Sequence, residues 1–228
     1  MRNAKVREAL RLLRASQVPI THIIDVGIQH STPPLIEIFP DLHHYLFEPV
    51  EEYYPHIRRN YEKLSHELVE AAVSDSDGTM LLQTQKKTRG DEISHSFLTQ
   101  KASADTRTVR TLRLDTYFAA HFATNQYLLK VDVEGPDVPA AILRGAKGIL
   151  DKVSVVMVEM TVDRFMDRAV ILHVAGFDVW DLCDLCYYGD CLWQFDAFFI
   201  RRDIKQTVPA LRPMGAGPFR KELWQSGF

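Results

Sequence analysis

Apolar residues fall along this chain in two alternating rhythms. Short, nearly continuous apolar runs bounded by turn residues alternate with stretches whose apolar positions recur every three or four residues. The first pattern predicts buried strands and the second amphipathic helices. Val6, Leu10 and Leu13 open the chain with a helix. Residues 23–26 predict a strand, 35–39 a short helix and 45–47 a second strand. Tyr54, Ile57, Tyr61 and Leu64 place a helix over 50–64, and residues 68–73 follow as a third strand. Asp77-Gly78 marks a turn, with a short returning strand over 79–83. Strands that alternate with helices predict a parallel sheet joined by right-handed crossovers.

Residues 85–106 interrupt this rhythm. They are polar, rich in Lys, Thr, Ser and Asp, and predict a long loop, either a mobile flap over a site or a solvated excursion. Extended structure resumes over 109–114, and Asp115 is placed to cap a short helix reaching Ala120. Residues 128–131 predict a central buried strand. A helix over 138–150 follows, with Pro136 and Pro139 near its start, then a strand over 153–158. A helix over 164–175 is stopped by Gly176, and residues 177–182 and 195–201 predict a terminal antiparallel pair. The whole reads as α/β: a mostly parallel central sheet, an antiparallel terminal strand pair and helices on both faces. One domain is expected over 20–204. A helix within 1–19 packs on it, and a Pro- and Gly-containing tail over 205–228 follows.

Composition narrows the possible functions. With 228 residues, 46% of them hydrophobic, the chain can build one such domain with a sizeable core. A net charge of -3 provides no basic field to recruit nucleic acid. No apolar stretch approaches the ~18 residues of a membrane helix, and the N-terminus lacks the apolar core of a signal peptide. The three cysteines, Cys183, Cys186 and Cys191, are odd in number and clustered. They argue against a disulfide framework and for a reducing, cytoplasmic compartment. Cys183 and Cys186 have the spacing of a zinc knuckle, but no second pair exists, so no metal site is predicted.

The candidate chemistry lies at the strand ends. Asp25 and Gly27, Glu48, Asp132 and Glu134, and Glu159 each close a predicted strand. Open α/β sheets bind ligands outside the carboxyl ends of their strands. A row of carboxylates there is costly unless it meets hydroxyls, amines or cations. In Asp25-Val26-Gly27-Ile28-Gln29-His30-Ser31, Gly27 allows the backbone to approach a ligand closely. Asp25 can meet a ligand ammonium or order the loop. The further glycines of a dinucleotide loop and the lysine of a phosphate loop are both absent, which favours a ligand without phosphates. Glu48 lies about 20 residues beyond Gly27, where an acid takes vicinal ribose hydroxyls; its other reading is a cap on the following helix. After Ser74, Asp75 either accepts from an adenine amino group or begins the turn to Gly78. In Lys130-Val131-Asp132-Val133-Glu134-Gly135, strand periodicity puts the two carboxylates on one side. There they can bind a cation, orient an amine or hold a general base, unless one simply pairs with Lys130.

Taken in order, Asp-Val-Gly, Phe-Glu-Pro, Ala-Val-Ser-Asp, Leu-Lys-Val-Asp-Val-Glu-Gly and Leu143-Arg144-Gly145-Ala146 resemble the FkbM family. The resemblance extends to Asp181-Leu182 and Gln194-Phe195-Asp196-Ala197-Phe198-Phe199 and covers roughly residues 20–202. It implies a class I methyltransferase Rossmann-like fold with S-adenosylmethionine as cofactor. Asp25 and Gly27 would then line the methionine end of the cofactor, with Gln29 and Ser31 on the same loop. Ser31 stands where the family commonly has a second glycine, and can donate to the methionine carboxylate. Glu48 would hold the ribose, Ser74 and Asp75 would flank the adenine, and Asp132 would sit by the methionine amino group or the reacting centre, beside Glu134. The family implies O-methylation of a hydroxyl on a sugar, a polyketide or a related small molecule. Such a hydroxyl must lose its proton during transfer, for which Asp132, Glu134, His30 and His95 are the candidate bases. Two rivals use the same sheet: a nicotinamide enzyme, disfavoured by the missing glycines, and a non-catalytic binding or assembly protein.

Overall fold

The computed structural model describes residues 3–86, 93–119, 126–135, 137–212 and 220–224. The described chain begins with α1 (Val6–Ala15), which buries Val6, Ala9, Leu10 and Leu13 at the expected helical spacing. β1 (His22–Val26), α2 (Pro33–Ile38) and β2 (His43–Phe47) follow. A single 3-10 turn, Glu51–Tyr53, runs into α3 (Tyr54–Asn60), which leads to β3 (His66–Val69). Next come β4 (Ala72–Val73), β5 (Gly78–Lys86), β6 (Ile93–Thr99) and β7 (Thr106–Leu112). The chain then passes through α4 (Leu114–Phe118), β8 (Tyr127–Val131), α5 (Val138–Gly145) and β9 (Val153–Thr161). It ends with α6 (Phe165–Val174), β10 (Phe177–Tyr188), β11 (Cys191–Arg201) and α7 (Arg202–Thr207).

Seven strands pair in the order β10-β11-β9-β8-β1-β2-β3. β1, β2, β3, β8 and β9 run parallel to one another, and β11 runs antiparallel to both β9 and β10. This is the expected α/β architecture, and its apolar runs explain it. Strands covered on both faces need continuous hydrophobicity, and all five residues of β8 are buried. One face packs Leu114, Ile142 and Leu172 from α4, α5 and α6 onto Leu129 and Val156. The other packs Leu10, Leu13 and Leu35 from α1 and α2 onto Ile23 and Leu128. No described helix is long and apolar enough to cross a membrane.

A second, four-stranded sheet, β4-β7-β5-β6, departs from the expected pattern. The single strand expected over 68–73 is two strands in different sheets, β3 and β4. The loop expected over 85–106 contains β6, which pairs antiparallel with β5 from Leu81↔Thr99 to Lys86↔Ile93. Polar alternating residues suit this pairing because one face of an antiparallel sheet is solvated. Asp115 does not cap α4. Its carboxylate accepts instead from the backbone N–H groups of Gly148 (2.8 Å) and Ile149 (3.1 Å), which ties α4 to the loop after α5. The helix expected over 138–150 is correspondingly shorter, and Ala120 lies outside the described residues.

Candidate active site

β1 is flanked by β2 on one side and β8 on the other. At this reversal of strand order the crossovers diverge and leave a crevice beyond the strand ends. A cleft lies there. Its floor carries Gly27, Gln29, Glu48, Asp132 and Glu134. Its apolar wall comes from Ala72, Val73 and Leu82 in β4 and β5 and from Phe97 and Leu98 in β6. The polar stretch first read as a loop therefore builds part of the cleft.

Behind the floor, Lys130 organises two carboxylates. Asp25 and Lys130 are register partners on adjacent strands, so their side chains leave the sheet together. Lys130 Nζ donates to Asp25 Oδ1 at 2.9 Å and to the Gly27 carbonyl at 3.0 Å, and it lies 3.3 Å from Asp132 Oδ2. Two hydrogen bonds and one ion pair thus hold the ammonium. Burial disfavours the Lys130 ammonium, but Asp25 and Asp132 hold its pKa above the ordinary lysine range. Asp25 is fully buried beneath this lysine and does not line the cleft. Its Oδ2 has no hydrogen-bond partner among the described residues. Asp132 is the carboxylate of the trio that does reach the cleft.

Gly27 lines the cleft and has a second task besides. It adopts φ +80°, and a Cβ there would lie 1.9 Å from the Asp132 carbonyl oxygen. The close approach it permits is that of the β8 end rather than of a ligand alone. Gln29 also has positive φ, and its backbone N–H donates to Glu48 Oε2 at 2.8 Å. The Val50 N–H donates to Glu48 Oε1 at 3.0 Å. Glu48 therefore both lines the cleft and clamps the loop after β1 to the start of the following helical turn. Burial pushes its pKa up to about 7 against the pull of those two amides.

The remaining candidates divide between the cleft and elsewhere. Glu134 lines the cleft, and His95 Nε2 from β6 lies 4.0 Å from its Oε1. His30 packs edge-on against Tyr53 and His56 and is not part of the cleft wall. Ser31 is also outside the wall, and Ile28 on the same loop packs into the apolar core. Ser74 is buried with its hydroxyl toward Asp75 and Met80, and Asp75 faces Arg144 at 3.4 Å. Neither lines the cleft. Ala72 and Val73, just before them, do.

A second cleft opens on the other side of Val133 and Glu134, which belong to both. Glu159, Gln194, Trp193, Asp163, Arg164 and Arg168 line it. Glu159 and Asp196 are register partners on β9 and β11. Burial, reinforced by Asp132 and other nearby carboxylates, pushes Glu159 up to about 8 and Asp196 up to about 7. The Gln194 side-chain amide donates to Glu159 Oε1. Gln194 was legible only as part of the family's closing run, and Trp193 lay outside the strand expected over 195–201. Phe97 and Leu98 were hidden because an apolar pair in a polar stretch reads as loop. Among the described residues, no group of three or more histidines, cysteines or carboxylates is arranged to hold a metal ion.

The sequence model of the Methyltransferase FkbM domain matches residues 24–182. Among solved structures, a putative methyltransferase from Streptococcus mutans in complex with SAH is similar to this fold. It has 12% identity, a TM-score of 0.50, and coverage of 88% of this chain and 99% of that one. The METTL16 methyltransferase domain gives 12% identity and a TM-score of 0.50, covering 83% of this chain and 63% of that one. No curated protein matches the chain.

Proposed function

The chain belongs to the FkbM methyltransferase family, and from that membership we propose that it O-methylates a hydroxylated small molecule across two adjoining clefts. S-adenosylmethionine is its methyl donor. The observation that carries the two-cleft reading is the partition itself. Glu134 and Val133 separate a cleft with an apolar wall, at the strand-order reversal, from a second cleft.

The first cleft fits the cofactor. Ala72, Val73, Leu82 and Leu98 offer the adenine an apolar slot, and Glu48 has unused lone pairs for ribose hydroxyls. Asp132, positioned by Lys130, would hold the methionine amino group. When bound, the cofactor supplies an electrophilic sulfonium methyl group. The protein's task is then alignment and proton removal. In the second cleft, Trp193 offers a flat face, and Gln194, Asp163 and Arg164 offer hydrogen bonds. A polyhydroxylated ring such as a sugar suits that combination. Glu134, the carboxylate common to both clefts, would take the proton of the acceptor hydroxyl, and His95, 4.0 Å away, would carry it on toward solvent. The free cysteines suit a reducing cytoplasm.

Isothermal calorimetry tests the cofactor half. S-adenosylmethionine and S-adenosylhomocysteine should bind saturably, NADH should not, and Glu48→Ala should weaken both. Folded protein that binds neither sulfur compound would return the argument to a non-catalytic scaffold. Radiolabelled methyl transfer to a panel of saccharides and hydroxylated polyketides tests the acceptor half. A panel that yields labelled amines but no labelled hydroxyls would sink the O-methylation reading.

A further inference from the structure

The outward face of α6 is apolar where a solvent-facing helix should be polar. Met166 is 66% exposed, Val170 53% and Val174 81%, each four residues from the last, and Val162 (46%) extends the row from the turn before the helix. The buried residues of the same helix, Arg168 and Leu172, lie on the opposite side. Valine is a poor helix former, so exposed valines cost helix stability with no burial in return. Together the four side chains expose on the order of a few hundred Å², as much as the largest apolar patch on a typical monomer.

We propose that this face of α6 pairs with the same face of a second copy of the chain. Residues spaced by four form a helix ridge, and two such ridges interdigitate in the commonest helix packing, crossing at about -50°. A twofold axis between Met166 and Val170 makes the contact self-complementary. The charges along the helix favour that arrangement. Asp163 and Asp167 share Arg164 and leave the N-terminal end net acidic, whereas Arg202, which donates to His173 at 2.7 Å, and Lys205 share Asp178 and leave the other end net basic. The twofold pairing directs each acidic end toward the partner's basic end, whereas a parallel pairing sets like against like. The stripe supplies the apolar centre, and these charges the rim, of an interface whose standard size is about 800 Å² per partner. Asp163 and Arg164 also line the second cleft, so the second copy stands beside its mouth.

Sedimentation velocity on the full chain, from low micromolar concentration upward, tests the pairing. The wild type should be a reversible dimer. Met166→Asp and Val170→Asp should weaken it about tenfold or more. Val174→Asp should do the same, and its side chain is too exposed for the change to disturb folding, which circular dichroism checks. Asp167→Arg should weaken association, and adding His173→Glu should restore it. A wild type that stays monomeric throughout would overturn the proposal. So would a dimer indifferent to these substitutions.

Discussion

At the scale of single residues, the floor of the cleft depends on paired roles. Lys130 neutralises Asp25 in a site from which water is excluded. Removing only the lysine leaves a buried, uncompensated charge. Lys130→Met should therefore destabilise the fold by about 3–5 kcal/mol in urea denaturation. The double change Lys130→Met with Asp25→Asn should recover a large part of that loss, because no charge is then left unpaired. If the double variant is no more stable than the single one, electrostatic pairing is not what holds this floor. Gly27→Ala meets both a left-handed φ and the Asp132 carbonyl, and should cost about 2–4 kcal/mol. For turnover, Glu134→Gln should lower kcat about 100-fold or more while leaving S-adenosylmethionine affinity within about twofold. His30→Ala, outside both clefts, should leave kcat unchanged. Steady-state kinetics on an identified acceptor separate the two roles.

At the scale of elements, the parallel core was legible because its strands are buried on both faces and leave an unbroken apolar signature. The carboxylates at the strand ends were legible for the same reason, since each one ends an apolar run. What lay beyond reach was partnership. Asp25 and Asp132 were both readable as ligand contacts, and only the fold shows that both meet Lys130, with Asp25 buried beneath it and Asp132 reaching the cleft. β6 was missed because its alternating polar residues match a solvated loop as well as a half-exposed strand. Its pairing partner, β5, is antiparallel and supplies the missing context. One side chain anchors this strand to the main sheet's helices: Tyr53 Oη donates to the Ile93 carbonyl at 2.9 Å. Tyr53→Phe should cost only about 0.5–1.5 kcal/mol of global stability. It should nonetheless loosen the β6 wall and weaken cofactor binding several-fold by calorimetry. Hydrogen exchange at β6 amides should accelerate more than at β8 amides; equal acceleration would argue that the second sheet is not held separately.

At the scale of the whole molecule, two populations of titratable groups set opposing pH limits on stability. His22, His43 and His44 lie side by side at the amino ends of β1 and β2, and burial is the first cause lowering each pKa. The unfolded chain therefore binds more protons than the folded one below about pH 6.5, and the stability these residues contribute is lost as pH falls through that range. Glu48, Glu159 and Asp196 are shifted the other way, to about 7, 8 and 7. Their contribution is full below the ordinary carboxylate range and is lost as pH rises toward 8, where the folded protein must at last ionise them. Between about pH 4.5 and 6.5 the two trends offset each other. Above that window only the carboxylates still titrate, so the thermal midpoint should decline from pH 6.5 to 8.5. Glu159→Gln tests the origin of that decline. The substitution removes a charge that burial and neighbouring carboxylates disfavour, so it should stabilise the protein by about 1–3 kcal/mol at pH 8.5. At pH 5, where the native residue already holds its proton, it should change stability little. Scanning calorimetry at the two pH values reads the difference directly. An equal effect at both would place the alkaline limb elsewhere. A selective gain at pH 8.5 would mean that the acidic wall of the second cleft is kept at a cost to the fold, as expected of residues retained for chemistry rather than for stability.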